Sequence, residues 1–249
     1  MKRLILLLYF MVALPYFLVA GSGATQTSDT SKMLTLWHYN AGTSNVLYDT
    51  SGNGYNGSIS GAVWKEGLMG QNLLFDGSND KVTFANKVVL NFNFTIMGWF
   101  KRTSGDPNFR AAVIGNTKSN SAAEWIVALD NGFQLIIADS DNTYDYHALD
   151  TTNMFDDDTW HHFAYTRDVA QSKTFAYLDG VYMSYHDCTN KTLQDFGGDA
   201  STVMGVYGLY QRTNFWWGGD LEEIAIFKRC LTTGEIQDIY SNQKSRYYK

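Results

Sequence analysis

The sequence predicts an all-β protein: an antiparallel two-sheet jelly-roll β-sandwich with one short C-terminal helix. Three observations carry that expectation. Short runs that alternate apolar and polar residues recur along most of the chain. Clusters of Gly, Asp, Asn and Ser separate them, as at Asp76-Gly77-Ser78-Asn79-Asp80 and Asp179-Gly180. After the N-terminal leader, only Thr232 to Tyr240 carries a helix signature, with Thr232 and Glu235 spaced as a capping box. Many short strands bury their apolar faces best as two stacked sheets.

Lys2 and Arg3, an apolar run from Leu4 to Val19 and small residues from Ala20 to Ala24 predict a secretory signal peptide over residues 1–24. The alternative is an uncleaved membrane anchor. No other run is long and apolar enough to span a bilayer, so the protein is expected to be secreted or at the cell surface. A polar linker, 25–33, precedes one domain, 34–243, and a tail, 244–249. Strands are expected at Leu34 to Tyr39, Ser58 to Trp64, Asn72 to Phe75, Lys81 to Phe84 and Phe92 to Phe100. A three-strand run follows at Ala111 to Gly115, Glu124 to Leu129 and Gly132 to Ala138, then Thr143 to Leu149 and Thr159 to Arg167. Thr174 to Leu178 and Val181 to Tyr185 form a hairpin over Asp179-Gly180. Ser201 to Gly205 and Phe215 to Phe227 complete the set.

The formal charge is −6, or −8 without Lys2 and Arg3, and no basic cluster is interleaved with aromatics, so a nucleic-acid partner is not expected. Aromatics make up 15% of the chain, enough that most must be core. Cys188 and Cys230 are the only cysteines, and in an oxidising compartment they are expected to pair. Sequons at Asn56, Asn93 and Asn190 are candidate N-glycosylation sites. Asp49-Thr50-Ser51-Gly52-Asn53-Gly54-Tyr55-Asn56-Gly57 must curl tightly. It reads either as a polar surface turn or as a loop that holds a hard cation on oxygen ligands.

Five blocks occur in a recognisable order: Asp49-Thr50-Ser51-Gly52-Asn53-Gly54; Leu74-Phe75-Asp76-Gly77; Phe94-Thr95-Ile96 with Trp99-Phe100; Trp160-His161-His162-Phe163-Ala164 leading to Tyr177-Leu178-Asp179-Gly180; and Gly219-Asp220-Leu221-Glu222-Glu223-Ile224 leading to Leu231. In these the chain resembles the laminin-G-like, concanavalin A-like lectin/glucanase superfamily, in its single-domain secreted branch. The resemblance implies a structural calcium site, with Asp49, Asn53, Asp76 and Glu222 as ligands. The family often has Asp-Glu where Asn40-Ala41 stand, and Asp in place of Glu222.

The superfamily's glucanases carry carboxylates alternating along one strand. Here Asp220 and Glu222 share a face, but the third carboxylate is missing. Glu124 and Asp130 flank an apolar strand and imply no partner. His161 and His162 point to opposite faces of a strand and cannot chelate together. No catalytic residue is assigned. Glycan recognition instead draws on aromatic faces next to Asp and Asn hydroxyl-binding groups. Two segments have that mixture: Asp141, Asn142, Tyr144 and Tyr146 in one, and Tyr210, Trp216 and Trp217 in the other. The sequence thus predicts a secreted, non-catalytic domain that recognises an extracellular glycan or glycoprotein. The alternatives are a self-associating subunit of an extracellular filament, coat or surface assembly and, behind that, a glycoside hydrolase.

Overall fold

A computed structural model describes residues 32–39, 42–103, 110–117, 123–130, 132–138, 144–150, 155–188, 193, 201–207 and 215–247. In chain order the strands are β1 (Met33–Trp37), β2 (Val46–Leu47), β3 (Gly57–Ser60), β4 (Val63–Glu66), β5 (Gln71–Asp76), β6 (Lys81–Phe84), β7 (Phe94–Arg102) and β8 (Arg110–Thr117). Then come β9 (Ala123–Asp130), β10 (Phe133–Ala138), β11 (Tyr144–Asp150), β12 (Trp160–Asp168), β13 (Lys173–Leu178), β14 (Val181–Asp187), β15 (Ser201–Met204) and β16 (Gly218–Phe227), followed by α1 (Thr233–Tyr247). Sheet A runs β14-β13-β12-β7-β16-β5-β4, with β1 also on β16, and sheet B runs β11-β10-β9-β8-β15-β6-β3-β2. All the strand pairs are antiparallel, so the expected two-sheet jelly roll is the fold.

Alternation sorts each strand's residues between the inter-sheet core and an outer face. From sheet A the core takes Phe94, Ile96, Phe100, Phe163, Tyr165 and Ile224, and from sheet B Trp125, Val127, Leu129, Phe133, Leu135 and Ile137. Phe100 stacks on Phe133 across the layers at 4.3 Å, and the Tyr165 hydroxyl donates to the Phe133 carbonyl at 3.0 Å. The outer face of sheet A is covered by α1, where Ile236 and Ile239 join Met97, Ala164, Tyr177 and Ala225. The capping box is formed: the Glu235 N–H donates to Thr232 Oγ1 at 3.2 Å and the Thr232 N–H donates back to Glu235 at 2.8 Å.

Four expectations are corrected. Ser58 to Trp64 is two strands, because Gly61 turns the chain at a φ of 86° and sends β3 to sheet B and β4 to sheet A. The expected C-terminal helix forms but runs past Tyr240 to Tyr247, so it absorbs most of the expected tail. Trp217, expected to meet a ligand, is fully buried in the inter-sheet core, 6.0 Å from Phe100 and edge-on to it. Cys188 and Cys230 are free thiols. The Cys230 thiol donates to the Arg167 carbonyl at 2.8 Å, and Cys188 is buried beside the Arg167 guanidinium. Burial pushes both thiols up, that of Cys230 to about 11.

Candidate functional site on the outer face of sheet B

Register builds a patch on the outside of sheet B. Tyr146 of β11 lies opposite Ile136 of β10, which faces Ile126 of β9. Gln134 lies opposite Ala128, which faces Ala112 of β8. Ala112, Ile126, Ala128 and Ile136 form a floor separate from the main core, with Tyr144 and Tyr207 packed against it. The four floor residues are themselves buried, at 1% exposure or less, and Tyr146 is the ring of this patch that stands open to solvent. Tyr144 and Tyr146 have ring centres 6.2 Å apart, and Tyr146 is 51% exposed. Opposite them the Tyr207 ring meets Phe215 at 5.8 Å, held by the Tyr207 N–H donating to the Phe215 carbonyl at 2.9 Å.

One ion pair sits in this patch. Arg110 Nε donates to Asp130 Oδ1 at 2.8 Å, and the guanidinium lies 5.9 Å from the Phe215 ring centre. The Gln134 amide donates to the Asp130 carbonyl. Burial, then the Asp130 charge, raises the Tyr146 and Tyr207 pKa values, so both stay neutral phenols that donate and accept hydrogen bonds. A paired guanidinium and carboxylate beside aromatic rings can stack a sugar ring and bond its hydroxyls without demanding charge.

Tyr144 and Tyr146, from one expected segment, are thus brought to the same face as Tyr207 and Phe215, which border the other. Trp216 is buried against Val203 and Val206. Asp141, Asn142 and Tyr210 lie outside the described residues. Arg110, Asp130 and Gln134 come together through the β8–β9–β10 register, and Arg110 has no signal of its own in the sequence.

The inward residues of β11 form a seam to sheet A. His147 Nδ1 pairs with Thr174 Oγ1 at 2.8 Å and Nε2 with Ser184 Oγ at 3.0 Å, joining β11 to β13 and β14. Tyr165 of β12 and His186 of β14 lie against the ring at 5.8 and 5.7 Å, and His186 in turn reaches Asp145 at 3.6 Å. Burial, with His186 adding to it, pulls the His147 pKa down to about 4. The neutral form is the one that folds, so its stabilisation is complete above about pH 6.5 and is lost as pH falls towards 4. Wild type is therefore expected to lose stability relative to His147→Gln over that range, measured as paired urea midpoints at several pH values.

The residues assigned to calcium serve separate turns. The Asp49 carboxylate accepts N–H bonds from Leu36 (3.1 Å), Ser51 (3.0 Å) and Tyr55 (3.0 Å), and the Asn53 amide donates to the Met33 and Leu34 carbonyls. Asp76 accepts from Ser78 and Asn79 in its own turn. Glu222 accepts from Leu68 (2.6 Å) and Met69 (2.7 Å), and burial lifts its carboxyl to about 8. A bulge at Glu223, with φ at 53°, lies where β16 changes neighbour from β5 to β1 and pairs Glu223 with His38. Three of the four acceptor positions of Asp49 are thus filled by backbone donors, and the Asn53 nitrogen is spent on β1 carbonyls. The donor set is that of a closed clamp and does not fit an oxygen cage. Among the described residues no group of three His, Cys, Asp or Glu side chains is placed to hold a metal.

Asp220 bonds Lys101 at 3.0 Å and, like Glu222, is buried. Glu124 is paired with Lys87 at 3.0 Å and Asn116 at 2.8 Å. His162 is fully buried and held neutral, its pKa near 3, while His161 sits between Asp179 and Asp157. The sequon residues Asn56 and Asn93 are exposed, their side-chain oxygens accepting from Asp49 and Val169 N–H groups; Asn190 is outside the described residues.

A family model described as the concanavalin A-like lectin/glucanases superfamily matches residues 76–237. Among curated proteins none matches the chain. Among solved structures, the binding domain of Paraclostridial Mosquitocidal Protein 1 is similar, with a TM-score of 0.66 at 14% identity over 85% of this chain and 52% of that one. The botulinum neurotoxin serotype D binding domain gives 0.61 at 18%, over 86% and 52%. The chain therefore spans about half the length of these two. Domain 4 of AbnA, a GH43 extracellular arabinanase from Geobacillus stearothermophilus in complex with arabinotriose, gives 0.62 at 15%, over 84% and 98%. At these identities the likeness is one of fold.

Proposed function

Because the chain belongs to the concanavalin A-like lectin/glucanases superfamily, we propose that it is a non-catalytic, secreted domain that binds the glycans of an extracellular glycan or glycoprotein partner on the outer face of sheet B. The observation that carries this reading is the half-exposed Tyr146 beside Tyr144 and the Arg110–Asp130 pair. The paired charges favour neutral sugars, and the net negative charge of the chain adds to that preference. The arabinotriose complex of the similar arabinanase domain supports a saccharide as the ligand class. Catalysis is disfavoured because Asp220 and Glu222 are buried and bonded to Lys101 and to backbone N–H groups.

On a glycan array, wild type is expected to retain neutral glycans and Tyr146→Ala to bind them about tenfold more weakly or worse, the loss of roughly 1.4 kcal/mol of stacking. A blank array at high valency, or unchanged binding by Tyr146→Ala, contradicts the proposal. Self-association has one observation in its favour: Val181, Tyr182, Met183 and Tyr185 of edge strand β14 are all exposed. Concentration dependence of the sedimentation coefficient separates the two readings.

A further inference from the structure

A pocket of about 230 Å³ opens on the opposite side of the sandwich, beside the second half of α1 where it packs on the outer face of sheet A. Trp160 and Tyr240 supply aromatic walls, and Thr159, His161, Asp179 and Lys244 supply polar groups. Behind them Trp99 stacks on Tyr240 at 5.5 Å and donates from Nε1 to Gln243 at 2.7 Å, which fixes the Tyr240 ring against the sheet. The Asp179-Gly180 turn approaches so closely that a Cβ at Gly180 would stand 2.6 Å from the Tyr240 ring. The pocket is thus built from five pieces of chain: the β4–β5 turn at Leu68, β7, the start of β12, the β13–β14 turn and α1.

Its charges alternate. Lys101 is bonded to Asp220 at 3.0 Å and lies 5.4 Å from the Trp160 ring centre. His161 bonds Asp179 at 3.1 Å and Asp157 at 3.3 Å. Burial alone would strip the His161 proton, but these two carboxylates outweigh it and raise the pKa. Lys244 donates to the Tyr240 hydroxyl at 2.9 Å. The charged groups of the lining are of both signs, His161 and Lys244 against Asp179, so a ligand of one sign gains little, whereas hydroxyl groups can donate to the carboxylate and accept from the cations. Pockets for drug-sized ligands run to about 300–1,000 Å³. A smaller one with aromatic walls suits a single ring.

We propose that this pocket between α1 and sheet A is a second saccharide site, which takes one neutral sugar ring, separate from the face of sheet B. No described residue of sheet B lines the pocket, so the two sites stand or fall independently. With both, one domain bridges two glycans.

The test is ligand-observed NMR and titration of the ¹⁵N-indole signals of the full chain, with methyl glucoside, galactoside, mannoside and arabinoside at millimolar concentration. At least one glycoside is expected to shift the Trp160 indole signal in wild type and equally in Tyr146→Ala, and to lose at least tenfold in affinity for that signal in Thr159→Val. Thr159 is exposed, so this variant keeps the fold where Trp160→Ala would risk it. Shifts at Trp160 that vanish in Tyr146→Ala, no shift with any of the four glycosides, or full affinity in Thr159→Val would overturn the proposal. Loss of array binding in Tyr146→Ala with the Trp160 response intact would support both sites at once.

Discussion

Trp217→Ala is expected to destabilise the domain by about 3–5 kcal/mol, the cost of removing a large aromatic from a closed core. Trp217 has no exposed surface and lies edge-on to Phe100, the ring through which sheet A stacks on Phe133 of sheet B. Truncation leaves a void between the layers that the surrounding strands cannot close. Chemical denaturation reads the effect directly. Trp217→Phe, which keeps most of the volume, is expected to lose less and to bind glycan like wild type. A Trp217→Ala variant of native stability but impaired binding would return Trp217 to the ligand site.

Asp49→Ala is expected to cost about 2–4 kcal/mol. Hydrogen bonds to charged groups contribute about 1.5–3 kcal/mol each, and solvent reaches part of this loop. The carboxylate gathers the N–H groups of Leu36, Ser51 and Tyr55, and the loop it shapes is stitched to β1 by Thr50, Ser51 and Asn53. The Tyr55 carbonyl then accepts from the indole of the fully buried Trp37 at 2.6 Å. Removing the carboxylate therefore loosens β1 against β16 as well as the loop. We propose that backbone donors do the work of a cation here, and chelation is then expected to leave the melting temperature of wild type unchanged. A calcium-dependent rise in melting temperature would show that the clamp opens to take the ion.

Strand positions were legible because alternation and turn chemistry act locally: the Asp179-Gly180 hairpin forms with both residues at positive φ, at 49° and 75°. The break inside Ser58 to Trp64 was not, since Ser, Gly and Ala between β-branched and aromatic residues continue an alternating run, and only the transfer between sheets demands the turn at Gly61. Trp216 and Trp217 illustrate a second limit. Neighbouring residues go to opposite faces, but the pattern does not say whether either face is open, and here the core takes one and Val203 with Val206 the other. For the cysteines, compartment and count say nothing about the partner each free thiol finds: Cys230 bonds the Arg167 carbonyl and Cys188 lies beside the Arg167 guanidinium. At the site, the tyrosines of β11 announced themselves by composition. Arg110 and Asp130 are 20 residues apart and meet only through a β8–β9 register that includes a bulge between Ala112 and Ile114.

Amide chemical-shift mapping of the full chain with an array-positive neutral glycan tests whether the outer face of sheet B is the glycan-binding surface. The largest shifts are expected on Arg110, Ala112, Ala128, Asp130, Gln134, Ile136, Tyr144, Tyr146, Tyr207 and Phe215. Shifts confined to sheet A, or to the loop from Asp49 to Gly57, would contradict that placement.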